Sequence, residues 1–444
     1  AAGERLLSLY GRPGARDASQ ASTDTTADAR HDVITTAVFL AEAGGLRLIR
    51  GHGRVGQSYR ALTARSPAAQ MCERELWEQT GLIPLGHPWL KPVRYEGARQ
   101  QAMHEYPFFS VRGQEIHEVG VGPIHASVIE PGHFRFMCHG EQVHHLEIQL
   151  GYQHRGVEAL LLRRPPLALT PLVESIVGDS SVAYAWSYCA AVEALAGVTI
   201  SPEADLVRGV ALELERIAMH LVGLNGLATD IAFLQGGASY GRLRTAIINA
   251  SMRVCGSRFG RGWLRPGGVR HGIDATLRQD LLTTLAAFAR DTRQVNELML
   301  GSRSVVSRLR GVGGVSHQAA ADLGLLGLAA RASGVAIDTR ASLPGRIHDT
   351  RPIDTLVEDS GDCYARLHLR MREIDASLRW LNELLKDDSM DLAAPPLIKL
   401  GALRPDSLCV SLREGFRGPV MMALETASDG QLVHAKVQDP SLFN

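Results

Sequence analysis

The sequence predicts an α+β protein, in which a small α+β domain is followed by a β-hairpin region and then a bundle of long helices. Three observations carry that prediction. Early in the chain, a strand-like run turned by Gly44-Gly45 precedes a helix with clear start and stop signals. Around His139-Gly140-Glu141 the apolar residues alternate with period two. Beyond Asp179, long amphipathic segments follow one another through short, glycine-containing connections. At 444 residues the chain exceeds a single compact core, so about two or three domains are expected.

Taken in order, residues 11–30 are rich in Ala, Ser, Thr, Asp and Arg and nearly lack large apolar side chains, the composition of a mobile insertion. Val33 to Arg50 alternates around Ala43-Gly44-Gly45, a hairpin signal. Ser66 to Gly81 reads as a helix with Ser66 as N-cap, Pro67 in the first turn and Gly81 as the stop. Gly86-His87-Pro88-Trp89-Leu90 closes this unit, and Gln100 to Tyr106 leads out of it. From Phe134, one face carries Phe134, Phe136 and Cys138 and the other Arg135, Met137 and His139. His139-Gly140-Glu141 then turns the strand back into Val143 to Leu150. Asp179, Ser180 or Ser181 caps a helix that runs to Leu195 and ends at Gly197. Ser201-Pro202-Glu203 opens a second helix, with Leu206, Val210, Ile217 and Leu221 near one stripe, and Asp274 to Leu300 and Asp362 to Leu385 are two more.

Composition excludes several function classes. Lys plus Arg equals Asp plus Glu at 47 each, so no general field draws nucleic acid or an anionic membrane. The six cysteines form no C-x-x-C pair, which argues against a zinc or iron–sulfur nest and fits a reducing, cytoplasmic compartment. No run reaches the ~20 apolar residues of a membrane span, so any membrane role falls to another subunit. A strand followed by G-x-G-x-x-G is absent, so a nicotinamide nucleotide would bind elsewhere. The sequence starts without Met and stops within what reads as a motif, so a trimmed protein is expected.

The motifs from Gly120 onward resemble a known family. They are Gly122-Pro123-Ile124-His125, Glu130-Pro131-Gly132-His133-Phe134-Arg135, Leu150-Gly151-Tyr152-Gln153-His154-Arg155-Gly156 and Glu213-Leu214-Glu215-Arg216-Ile217-Ala218-Met219-His220-Leu221. Arg265-Pro266-Gly267-Gly268-Val269, Arg331-Ala332-Ser333-Gly334, Gly361-Asp362 and Glu414-Gly415-Phe416-Arg417-Gly418 follow. In this order they resemble the large subunit of group 4 nickel–iron hydrogenases of the formate hydrogenlyase type, and the related quinone-side large subunit of respiratory complex I. Glu73-Arg74-Glu75-Leu76-Trp77 with Gly86-His87-Pro88 resembles the small complex I subunit fused ahead of the large one in formate hydrogenlyase. The resemblance implies a domain over 1–100 and a hydrogenase-large-subunit-like domain over 115–444.

It also exposes a departure. The hydrogenase metal site uses two C-x-x-C pairs, whose positions here fall on Val177 and Ser180 and on Ser441 and Asn444. These offer no thiolate to nickel, so no metal is expected on this chain. In the complex I relatives, a loop histidine and a tyrosine hold the quinone headgroup. Their matches here are Pro131 and Ser175, with His125, His133, Tyr184 and Tyr188 close by as substitutes.

The resemblance implies a peripheral subunit on the cytoplasmic face of the inner membrane, soluble when expressed alone. It would dock a small iron–sulfur subunit that carries the cluster, and membrane antiporter-like subunits. It would either pass electrons to a quinone-like acceptor or serve as a scaffold without chemistry. The candidate catalytic residues are His125, Glu130, His133, Arg135, His154, Arg155, Asp179 and Tyr184, and quinone contacts are assigned to His125, His133, Ser175 and Tyr184. Each has a plainer reading beside it: Asp179 as a helix cap, Glu130 as a salt-bridge partner, and the histidines as structural. The hairpin histidines His139, His144 and His145 are expected to be solvated, and Glu193 to be structural.

Overall fold

The computed structural model describes residues 4–14, 32–41, 44–97, 102–113, 115–124, 131–163, 165–343, 346–393 and 395–444. The first unit opens with an antiparallel sheet of β1 (Glu4–Pro13), β2 (Asp32–Ala41) and β3 (Leu46–Arg54) in that order. Gly44 and Gly45 both hold positive φ, as the diglycine signal requires. Gly11 and Pro13, expected within a mobile insertion, instead belong to β1, opposite Thr35 and Val33. The reason is packing: a β-carbon on Gly11 would lie 2.7 Å from Leu76 of the neighbouring helix. Residues 15–30 of that expected insertion lie outside the described residues.

Helix α1 (Gln70–Thr80) follows a 3-10 turn at Pro67–Ala69 and stops at Gly81, whose φ is 78°. Ser66 occupies the cap position without a side-chain bond to the helix. Three acids of α1 are buried: Glu73 accepts hydrogen bonds from Leu62 N and Thr63 N, Glu78 from Val93 N, Arg94 N and Tyr95 N, and Glu75 pairs with Arg94.

A second sheet, β4 (Ile116–Val121), β5 (His133–His139) and β6 (Gln142–Gln149), is antiparallel throughout, and its expected turn passes through Gly140 at φ 56°. Strand β4 has no counterpart among the elements expected from the sequence. This sheet packs within the first unit. Glu147 takes Lys91 Nζ at 2.5 Å and Phe109 N at 2.7 Å, and Gln149 Nε2 donates to Tyr95 OH and to Met103 O, both at 2.8 Å. The first unit therefore runs through Gly156, and the second comprises residues 157–444 with residues 43–45.

The second unit is built on five long helices: α2 (Ser181–Ala196), α3 (Pro202–Asp230), α4 (Leu234–Cys255), α5 (Ala275–Gly301) and α6 (Cys363–Lys386). Three have side-chain caps, of which that of Ser201 is expected from the sequence. Ser201 Oγ accepts from Ala204 N at 3.2 Å, and Asp274 and Asp362 each accept at 2.8 Å from the residue three further on. The expected capping of α2 by Asp179, Ser180 or Ser181 does not occur. Its first-turn amides of Val182 and Ala183 donate instead to Glu215 of α3, at 2.7 and 3.1 Å. An antiparallel sheet of β7 (Leu408–Gly415), β8 (Gly418–Thr426) and β9 (Leu432–Gln438), also unexpected from the sequence, lies against α2. Helix α2 is consequently buried on nearly every side, and a large apolar cluster extends from Leu161 to Val437. Among the described residues, no helix is long and apolar enough to cross a membrane.

Candidate functional site

Behind β7 lies a buried charge network. Arg331 donates through Nε and Nη2 to Glu373 Oε1, at 3.0 and 2.8 Å, and through Nη1 to Glu414 Oε1 at 2.9 Å. Arg340 clamps Asp338, with Nη2 to Oδ2 at 2.6 Å, and reaches Glu213 through Nη1. Arg216 holds Glu373 Oε2 at 2.6 Å and the Gly415 carbonyl at 2.5 Å, and His220 Nε2 lies 2.9 Å from Glu373 Oε2. Four carboxylates thus face three guanidinium groups, all buried. Unpaired charges here would be costly, so the pairing is what permits the burial.

The titration of these groups follows from the geometry. Burial alone would raise Asp338 and Glu373, but Arg340 and Arg331 overcome it for Asp338, and Arg331 with His220 for Glu373, so both lie low. Glu414 goes the other way, raised by burial and by the charge on Asp338. Burial pushes His220 down to about 4.

One turn beyond Glu414, the chain reaches the place where the start of α2 meets residues 439–444. Arg417 Nη2 donates to Asp179 Oδ2 at 2.6 Å, and the Arg417 carbonyl accepts from Asn444 Nδ2 at 3.2 Å. Asn444 Oδ1 in turn accepts from Leu326 N at 2.9 Å. Tyr184 OH donates to Asp439 Oδ2 at 2.6 Å, while Asp439 Oδ1 takes the amide and hydroxyl of Ser441. Burial and then the Asp439 carboxylate hold the Tyr184 phenol far above its ordinary value. A β-carbon on Gly415 would lie 3.6 Å from Ser180 Oγ. Close packing fixes this turn: Gly327, at φ 54°, brings its backbone so near Arg417 that a β-carbon would lie 2.1 Å from the Arg417 carbonyl oxygen.

Asp179, Tyr184, Ser180, Ser441 and Asn444, expected from two distant stretches of sequence, therefore meet at one locus. Ser175 turns its hydroxyl to the Leu172 carbonyl at 2.7 Å. Val177 packs against the core and offers its carbonyl to Ser180 N at 3.5 Å. Asp179 binds Arg417 rather than capping α2, because Glu215 already takes the helix amides.

The remaining candidates belong to the first unit. His125 and Glu130 lie outside the described residues. His133 Nδ1 is 3.3 Å from the Gly122 carbonyl, and its ring meets Phe108 edge-on. Arg135 pairs with Glu118 and stacks over Phe108, His154 lies 2.8 Å from Glu96, and Arg155 is exposed. His139 and His144 are exposed as expected, but His145 is half-buried between Trp89 and Phe109. Glu193 is structural: both its oxygens are held by Arg208, which also donates to the Arg265 and Gly268 carbonyls.

Comparison with known proteins defines the class first: a large subunit of the respiratory oxidoreductase and hydrogenase type. Residues 233–394 match the family model of the respiratory-chain NADH dehydrogenase 49 Kd subunit. The chain is 31% identical over 333 residues to an NADH-quinone oxidoreductase subunit from Dehalococcoides mccartyi, covering 73% of this chain and 89% of the relative. It is 30% identical over 349 residues to formate hydrogenlyase subunit 5 of Escherichia coli, covering 73% of this chain and 61% of that protein, about three fifths of its length. Among solved structures, a chain of the membrane-bound sulfane sulfur reductase, an archaeal respiratory membrane complex, has the same fold. Its TM-score is 0.69 at 22% identity, covering 74% of this chain and 90% of that one. The chain belongs to the 49 Kd subunit family and is a complex I-like or hydrogenase-like subunit.

Proposed function

We propose that this chain is a peripheral subunit of a membrane-bound, complex I-like or formate hydrogenlyase-like assembly. In it, electrons pass from an iron–sulfur cluster in a small partner subunit to a quinone-class acceptor, and protons move with them toward antiporter-like membrane partners. It works on the cytoplasmic face of the inner membrane. The division by descent, into a fused segment over 1–100 and a large-subunit-like segment over 115–444, belongs to the same proposal, whereas the compact units divide at Gly156.

The observation that carries the reading is the chemistry of the locus where α2 meets residues 439–444. A nickel–iron centre does not fit its donor set. Val177 has no donor atom, Ser180 and Ser441 offer neutral hydroxyls, and the Asn444 amide is committed to Leu326 N and the Arg417 carbonyl. In place of thiolates the locus holds a carboxylate on an arginine and a phenol on a second carboxylate. Such groups suit a polar headgroup and proton exchange rather than a soft metal.

A second reading is favoured by one feature of the same locus: Asp179 with Arg417, and Tyr184 with Asp439, already satisfy one another. That is what a scaffold without chemistry would need. Metal analysis of the intact complex, with a quinone-analogue titration followed by tryptophan fluorescence, separates the two. Iron without nickel, together with saturable quinone binding weakened by Arg417→Gln, is expected. Iron with no quinone binding would leave the scaffold, and stoichiometric nickel would overturn the argument from the donor set.

A further inference from the structure

Of the buried carboxylates in the second unit, Glu193, Glu174, Glu213, Glu373, Glu414 and Asp338 each lie against an arginine, and Asp362 caps α6. Glu215 differs. Among the described residues its two oxygens accept only backbone amides, Val182 N at 2.7 Å on Oε2 and Ala183 N at 3.1 Å on Oε1, at the opening turn of α2. It also borders a small cavity, lined with it by Ala218, Met219, Ser251, Arg258 and Phe259. That cavity has about 10 Å³ of space, about what a single water needs.

We propose that Glu215 is a proton-exchange site, loaded through this cavity and coupled to the charge on Asp179 at the start of α2. The step is a proton transfer alone. A solvent proton carried by cavity water adds to a Glu215 carboxylate oxygen, giving the neutral carboxyl, and returns by the same route; no electrons move. The role in redox coupling rests on the proposed function, whereas the exchange itself does not.

Two charged groups act on Glu215 from the elements around it, and a third lines its cavity. Asp179, just ahead of α2, opposes its ionisation, Arg216 beside it on α3 favours it weakly, and Arg258, beyond α4, lines the cavity. Burial is the largest influence, and with Asp179 it pushes the carboxyl up to about 8. The partial positive charge at the start of α2 works in the opposite sense, which keeps the ionised form accessible. Because Asp179 is held by Arg417 at 2.6 Å, any ligand that draws Arg417 away leaves the Asp179 charge less screened and raises the proton affinity of Glu215.

Infrared difference spectroscopy of the full chain, titrated from about pH 5 to about pH 10, tests this. A protonated-carboxyl band that disappears with a midpoint near 8 is expected, and Glu215→Gln should abolish it. Asp179→Asn should move the midpoint to lower pH. A band that persists in Glu215→Gln overturns the assignment, as does the absence of any titrating carboxyl in the wild type. An unmoved midpoint in Asp179→Asn overturns the coupling. If Glu215→Gln does not fold, Glu215→Asp should shift both the band and its midpoint, and an unchanged band in that variant overturns the proposal equally. Failure of quinone binding in a protein whose Glu215 still titrates counts against the proposed function alone.

Discussion

Arg331 serves Glu373 and Glu414 at once, with Asp338 Oδ2 at 3.8 Å, so its loss strands buried carboxylates rather than removing one bond. Arg331→Met is expected to destabilise the fold by roughly 3–5 kcal/mol, the usual cost of breaking a buried pair from one side, measured by urea unfolding at neutral pH. The histidines give a pH dependence of defined sign. Burial holds His220 and His348 down at about 4, against an ordinary value of 6.5. The unfolded chain then takes up protons that the folded chain refuses, so stability is full above about pH 6.5 and falls as the pH drops toward about 4. His348→Gln should flatten that slope in denaturation midpoints measured across the window; equal slopes would remove His348 from the account. Glu213, Arg216, His220, Arg331 and Glu414 lay within motifs quoted from the sequence, but nothing there showed that they would be buried against one another, and Asp338, Glu373 and His348 did not stand out at all. A glutamate or arginine on an amphipathic helix has the same letter whether it faces water or, like Glu213 and Arg216, a second ion. His145 misled for a related reason, since its burial depends on Trp89 and Phe109, distant in sequence.

At the scale of elements, local chemistry was legible wherever a helix supplied its own ends. Ser201 caps as expected, the helices expected from Asp274 and Asp362 begin at those residues, and Gly81 and Gly197 stop their helices at positive φ. Ser201→Ala should therefore cost about 1 kcal/mol, read as a shift in the thermal midpoint. Helix α2 was legible at its end but not at its start, because its cap comes from Glu215, more than thirty residues away in sequence. Strand β4 escaped because it is exposed along nearly its whole length and so shows no apolar alternation, and the sheet of β7, β8 and β9 because β8 is buried along its whole length and shows none either. The turn that carries Arg417 makes a sharper prediction. With a β-carbon 2.1 Å from the Arg417 carbonyl oxygen and its own φ positive, Gly327→Ala must move that turn. Destabilisation of at least about 1–3 kcal/mol is expected from backbone strain alone. Quinone-analogue binding should weaken with it; unchanged stability and binding would mean that the turn is not fixed as described.

At the scale of the whole molecule, the order of motifs conveyed the family, and the alternation of hairpin and long helices conveyed the α+β class. Where the units divide was not legible. It depends on Glu147 and Gln149 being drawn into the first unit by Lys91, Tyr95 and Met103, and such residues look solvent-facing on an alternating strand. The large apolar cluster lies entirely between Leu161 and Val437. A fragment of residues 157–444 is accordingly expected to unfold cooperatively on its own, with a single transition by circular dichroism and fluorescence; a broad, non-coincident transition would mean that the second unit needs the first. The network around Arg331 bears on how such a chain is made. During synthesis Arg331 emerges well before Glu414, so until β7 arrives the helical part carries a guanidinium group destined for burial with one of its carboxylates missing. The helices can gather early, but they cannot close. That strand thereby acts as a completion signal, and a chain cut short before β7 would announce its own defect as an uncompensated charge in the place where the core should be dry.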